Sequence, residues 1–137
     1  MTAFVDTSVF FAAVDRSDAD HARAAELITG DERLLTSDQV LAETWNLLQR
    51  RINAAAAERF WAGLRFDGLR IECVGPADLE NAWATGEIFA DQSFSLVDRT
   101  SFAVMQRLGV HRVITLDDDF AVFRFGPKRD RAFEVIR

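Results

Sequence analysis

One cysteine, no tyrosine, two prolines and a single lysine are the scarcities of this 137-residue chain. The lone Cys73 excludes an internal disulfide and a zinc site built from several thiolates. It lies in the strand-like stretch LRIECV and reads as a small buried hydrophobe. No apolar run approaches the ~20 residues of a membrane span. No basic stretch precedes the first apolar residues as it would in a signal peptide, and Asp6 interrupts them. The expectation is a soluble protein of the reducing cytoplasm with no membrane partner. Repeats, low-complexity tracts and polar linkers are also missing, which predicts one domain over residues 1–137.

What is present is acid and arginine. The chain carries 22 Asp and Glu against 16 Lys and Arg, a formal charge of −6. That balance by itself argues against a polyanionic partner. If four of the acids belong to a metal site, 18 remain against 16 bases and the rest is nearly neutral. All the basic residues except Lys128 are arginines, the side chain suited to bidentate phosphate contacts.

Five short β-type segments stand out, Thr2–Val5, Leu34–Thr36, Leu69–Val74, Arg112–Leu116 and Ala132–Ile136. Their apolar residues do not alternate, as expected for strands covered on both faces. Helical patterns lie between most of them. SDADHARAAELITGD offers Ser17 or Asp18 as N-cap, with Ala22, Ala25, Glu26 and Ile28 at helical spacing and Gly30 as the stop. SDQVLAETWNLLQRRI and AAAAERFWAGLRF make a helix pair broken near Asn53. PADLENAWATGEIFA begins with Pro76 in its first turn, and SLVDRTSFAVMQRLG runs from Ser95 to Gly109. Strands alternating with helices predict an α/β fold, a three-layer α/β/α sandwich around a five-stranded, mostly parallel sheet. Sites in such sheets form beyond the carboxyl ends of the strands. Trp45, Trp61 and Trp83 fall on helices and read as core, or as a homodimer seam or partner groove.

Several carboxylates do not suit their surroundings. Asp6 follows the apolar strand TAFV directly, where a lone ionised acid costs of order several kcal/mol unless compensated. Glu43 shares a helical stripe with Val40 and Leu47. Asp98 stands three residues after the N-cap Ser95, a capping-box position that also aims it outward from a helix start. Asp117, Asp118 and Asp119 follow the strand RVITL; Asp117 is nearest the strand end, Asp119 is the next candidate, and Asp118 points away. Each has a plain local account as a cap, a rim residue or a solvated loop. Jointly they surround one point beyond the sheet, and acids crowded there call for a hard divalent cation, Mg²⁺ or Mn²⁺. His21 and His111 read as structural or surface residues.

A phosphotransferase of the haloacid-dehalogenase type needs a second aspartate two residues after the first, where this chain has Ser8. A receiver domain needs an aspartate at the end of its third strand, which is also lacking. FVDTSVFFA, LLTSDQVLAETWNLL, FSLVDRTSFAVMQRLGV and RVITLDDDF, in this order, instead resemble the PIN domain, and in particular the VapC-type toxins of bacterial toxin–antitoxin pairs. The resemblance covers essentially the whole chain. It implies a metal-dependent endoribonuclease with Asp6, Glu43, Asp98 and Asp117 as its acidic residues and Mg²⁺ or Mn²⁺ as cofactor. On that reading Asp6 and Asp98 hold metal directly, Asp117 binds it directly or through water, and Glu43 holds a second metal or orients the attacking water. Thr7, Ser8 or Thr115 orients a carboxylate or a water, and Asp119 supports the site. Arg99 is the first candidate to hold the RNA backbone, ahead of Arg50, Arg51 and Arg112. The resemblance also implies a cognate antitoxin and a homodimer. The alternative is a catalytically silent PIN-like module that binds RNA or protein.

Overall fold

β1 (Thr2–Val5) is the hub of the molecule. It pairs with β2 (Arg33–Ser37) on one side and β4 (Arg112–Ile114) on the other, while β3 (Arg70–Glu72) and β5 (Glu134–Ile136) form the edges. The sheet order is β3–β2–β1–β4–β5, and every pairing is parallel. This architecture comes from a computed structural model that describes residues 1–137. Seven helices fill the connections: α1 (Thr7–Val14), α2 (His21–Ile28), α3 (Asp38–Arg51), α4 (Ala54–Asp67), α5 (Pro76–Ile88), α6 (Leu96–Leu108) and α7 (Asp119–Val122). Crossovers between parallel strands are right-handed as a rule, so a sheet order that reverses about β1 carries helices on both faces, giving the expected three layers.

The chain steps outward from β1 through β2 to β3, then returns to the far side of β1 as β4. The order therefore reverses between β1 and β4, and the connections leaving these two strands diverge. Divergence opens a crevice beyond their carboxyl ends. Asp6 and Asp117 sit just past those ends.

The helix ends follow local chemistry. The Ser37 hydroxyl accepts the Val40 N–H at 3.1 Å to start α3, and the Asn53 side chain accepts the Ala56 N–H at 2.8 Å to start α4. Asn53 thus marks the predicted break. Gly109, at φ 65°, closes α6 in the left-handed conformation that glycine adopts without strain. Beneath the helices Phe4, Val5, Val113 and Ile114 are fully buried, and Phe102 stacks on Phe123 with ring centroids 4.2 Å apart.

Several expectations need correction. The apolar stretch after Asp6 forms α1, which its sequence hides: Val9, Phe10, Phe11 and Ala12 are all buried, so no polar face marks the helical period. α2 is capped at Asp20, not Ser17 or Asp18, because Asp15 and Asp18 instead hold a tight turn through Ser17 and Asp20. Ala24 is its buried residue, with Leu27 and Ile28 against the core, whereas Ala22 and Glu26 face solvent. β3 is shorter than LRIECV suggested, and Cys73, beyond its end, is exposed. Trp61 and Trp83 are not core residues, being 42% and 69% exposed.

Candidate active site

Asp6 is the first residue past β1, and its backbone N–H still bonds to Ile114 O at 3.1 Å. The sheet therefore fixes its position. Its carboxylate is buried and accepts the Thr115 hydroxyl at 2.9 Å and the Ser8 hydroxyl at 3.1 Å, both on Oδ2. Those hydroxyls are themselves held, since the Leu116 N–H donates to Ser8 Oγ and the Asp117 N–H to Thr115 Oγ1, each at 3.0 Å. Burial raises the Asp6 pKa; the hydrogen bonds oppose this, and Asp117 adds to it.

Asp98 reaches the same crevice from the start of α6. Its backbone N–H donates to Ser95 Oγ at 3.0 Å while its Oδ2 accepts the Ser95 N–H at 3.2 Å, the reciprocal capping box that the sequence predicted. The box leaves the carboxylate facing other acids. Asp98, Asp117 and Asp119 each place a carboxylate oxygen within 4.8 Å of the others. Burial, a hydrogen bond with Asp119 and the charge of Asp6 push the Asp98 pKa up to about 8. Glu43, half-buried on α3, is also raised, first by burial and then by Asp6 and Asp117. The Thr7 hydroxyl is buried, makes no hydrogen bond of ordinary length, and lies near enough to Glu43 to favour its charged form.

Five acids therefore converge: Asp6, Glu43, Asp98, Asp117 and Asp119. The sequence reading weighed Asp117 against Asp119, and both are present. The Asp119 N–H donates to Asp117 Oδ1 at 3.0 Å, so one tight turn delivers two carboxylates. Asp118 turns outward to Arg137 at 2.8 Å. Asp91 is exposed in the loop before α6. No arginine or lysine forms an ion pair with any of the five. Mutual repulsion uncompensated by cationic side chains, an all-oxygen donor set and an unpartnered buried hydroxyl suit a hard divalent cation.

The arginine candidates are dispersed. Arg99 leaves α6 one residue after Asp98, but its guanidinium crosses to α5, where Nη1 lies 3.4 Å from Ala82 O and a methyl group at Gly86 would collide with it. Arg99 has no carboxylate partner, and its Nε is buried without one. Arg51 lies 5.5 Å over the Phe11 ring, and Arg50 is exposed. Arg112, expected near the mouth of the site, instead bonds Glu32 and Glu134 at the opposite end of the sheet, because it is the first residue of β4.

Known proteins resemble this chain over most of its length. Residues 3–126 match the PIN domain family. The 23S rRNA-specific endonuclease VapC20 of Mycobacterium tuberculosis is 39% identical over 124 residues, 89% of this chain and 94% of that protein. The crystal structure of VapC20, described as a sarcin–ricin loop cleaving toxin, has a TM-score of 0.82 at 35% identity and covers 89% of this chain and 94% of its own. VapBC-5, a toxin–antitoxin system of the same organism, shares the fold with a TM-score of 0.64 at 22% identity, covering 99% and 98%. The match is thus one of sequence and of shape, and the chain belongs to the PIN domain family, among its VapC-type ribonucleases of toxin–antitoxin pairs.

Proposed function

We propose that residues 1–137 act as one PIN-like nuclease domain that hydrolyses RNA phosphodiester bonds with Mg²⁺ or Mn²⁺, as the toxin of a toxin–antitoxin pair in the cytoplasm. The convergence of five carboxylates at the sheet's reversal point, without a cationic side chain among them, is the observation that carries this reading. A bound divalent ion would supply activation of water and neutralisation of charge developing on the phosphoryl oxygens. Asp6 and Asp98 would hold it, joined by Asp117. Thr115 and Ser8 keep the Asp6 carboxylate in one orientation, and Ser95 does the same for Asp98. Half-buried Glu43 orients the attacking water, with Thr7 beside it. Asp119 sets the position of Asp98 and Asp117. Arg99, free of any carboxylate, offers a guanidinium to the RNA backbone from the α5 side of α6, where it lies against Ala82, not among the acids.

The substrate we assign is 23S ribosomal RNA, the RNA named for VapC20, cut in a loop like the one named for that toxin's structure. We assign the partners to two apolar surfaces. A cleft of about 270 Å³ between α3 and α4 is lined by Leu41, Trp45 and Trp61, with the Trp45 indole N–H buried and unpartnered. It suits a segment of the cognate antitoxin. Leu79, Trp83 and Leu96 on α5 and α6 are 48%, 69% and 54% exposed, and suit a second copy of the chain. Incubating the purified protein, free of antitoxin, with 23S rRNA and Mn²⁺ tests the activity. Cleavage at a defined site, lost in EDTA and in Asp98→Asn, is expected; intact RNA with metal would overturn it. Size-exclusion chromatography at micromolar concentration should show a dimer, and a monomer there would remove the homodimer.

A further inference from the structure

The connection between α7 and β5 carries a charge that the rest of the chain lacks. Arg124, Lys128, Arg129 and Arg131 stand within it beside one acid, Asp130. Residues 124–131 thus carry +3, and since the whole chain is −6 the remainder carries −9.

This segment is a built hairpin. The Phe125 N–H bonds to Arg131 O at 2.9 Å and the Arg131 N–H returns to Phe125 O at 3.2 Å. At the tip the Arg129 N–H bonds to Gly126 O at 3.1 Å. Gly126 (φ +89°) supplies the left-handed turn, and a Cβ there would sit 2.8 Å from Cδ of Arg131, so glycine also lets the Arg131 stem lie flat. Buried Phe125 and Phe133 stack with centroids 4.8 Å apart and anchor the hairpin in the aromatic core.

The four cations divide by what they touch. Arg124 Nη1 donates to the carbonyls of Ala121 and Phe123 at 2.6 and 2.9 Å, closing α7. Lys128, Arg129 and Arg131 are exposed, and none has an ion pair. Three unpaired cations held close on a stiff frame repel one another, which an external polyanion relieves.

Their position is remote from the acids. The His111 ring, one residue before β4, stacks on Phe125 at 5.4 Å, and Glu134 pairs with Arg112 where β4 begins. The hairpin therefore lies at the amino end of the sheet. β4 and the three residues after it lead from that level to Asp117, a span of at most about 17 Å at ~3.3 Å per residue.

We propose that Lys128, Arg129 and Arg131 form a second phosphate-binding site, which grips the backbone of a folded RNA while its cleaved strand lies in the carboxylate crevice. The proposal rests on the endoribonuclease reading above and adds what kind of substrate it favours: an RNA large enough to reach both ends of the sheet.

The test compares the full chain with Lys128→Ala/Arg129→Ala/Arg131→Ala and with Arg33→Ala/Arg59→Ala/Arg65→Ala, which removes equal charge from exposed positions elsewhere. Filter binding of 23S rRNA in EDTA, over a range of salt, reads affinity without cleavage. The hairpin variant should bind about tenfold more weakly with a log–log salt slope flatter by about two. Its cleavage of a short oligonucleotide spanning only the scissile bond should match wild type. Equal loss in both triple variants, or none in the hairpin variant, would overturn the site. If the hairpin variant does not fold by circular dichroism, Lys128→Gln at the tip decides, with a slope flatter by about one expected and an unchanged slope overturning the site. Hairpin-dependent binding by a wild-type protein that cuts no RNA would leave this site standing and overturn the nuclease reading.

Discussion

Asp78 and Asp98 occupy the same local position and have opposite electrostatics. Each is the third residue of a helix, each is buried, and each accepts the backbone N–H three residues earlier, from Gly75 at 3.0 Å and from Ser95 at 3.2 Å. Asp78 then meets Arg107, whose Nε and Nη2 bond its two oxygens at 2.9 and 3.0 Å, and its pKa falls. Arg107 also holds Glu72 at 3.0 Å, so one guanidinium ties α5 and α6 to the end of β3. Asp98 is buried facing Asp119 and Asp6, and burial first, then those two acids, raise it to about 8. Local sequence makes both into helix caps; the surroundings brought by the fold give one a cationic partner and leave the other among acids with none.

The largest effect expected from breaking this comparison is catalytic. Asp98→Asn should lower RNA cleavage by about 10²–10³-fold, as loss of an electrostatic stabiliser does, and should raise the melting temperature of the metal-free protein by removing repulsion. Asp78→Asn should do the reverse, keeping cleavage within a few-fold while costing roughly 1–3 kcal/mol, because Arg107 keeps only Glu72 of its two charged partners. Parallel cleavage assays and thermal melts on the two variants check this. A melting temperature lowered by Asp98→Asn would break the contrast.

Next comes pH. The Asp98 pKa lies above its ordinary 3.8, so the folded chain binds the extra proton, and metal-free stability should fall as pH rises from about 4 to about 8. Asp6 and Glu43, also raised, act in the same sense. Asp78 and Glu72 are lowered and act oppositely, losing their stabilisation only as pH falls below their ordinary 3.8 and 4.5. Thermal melts in EDTA across this range should slope downward above pH 4.5, and saturating Mn²⁺ should flatten the slope.

Smaller effects sharpen the account. Thr115→Val removes the 2.9 Å hydrogen bond to Asp6 and should cut cleavage about tenfold, with little change in fold. Asp118→Asn, on the outward acid paired with Arg137, should leave cleavage within about twofold.

How much of this was legible depended on whether the signal was local. The order of strands and helices, the Asn53 break, the Ser95–Asp98 box and the Gly109 stop are each written within a few neighbouring residues. α1 was not readable, because a helix buried on nearly every side loses its period. The turn that admits both Asp117 and Asp119 depends on a backbone bond invisible in a run of three aspartates. Arg112 read as a cation near a strand, yet parallel pairing sets it at the wrong end of the sheet, beside Glu134. Trp61 and Trp83 read as core or as a seam or groove, and residue type cannot choose between these, because exposure depends on which face of a helix the fold leaves uncovered.

We propose that the converging carboxylates form a cation site. Isothermal titration of Mn²⁺ into wild type and Asp98→Asn at pH 7 tests it most directly, repeated in two buffers of different ionisation enthalpy. Saturable binding by wild type with release of protons, and strongly weakened binding by Asp98→Asn, is the predicted result. No saturable binding to wild type, or equal binding by the variant, would contradict it.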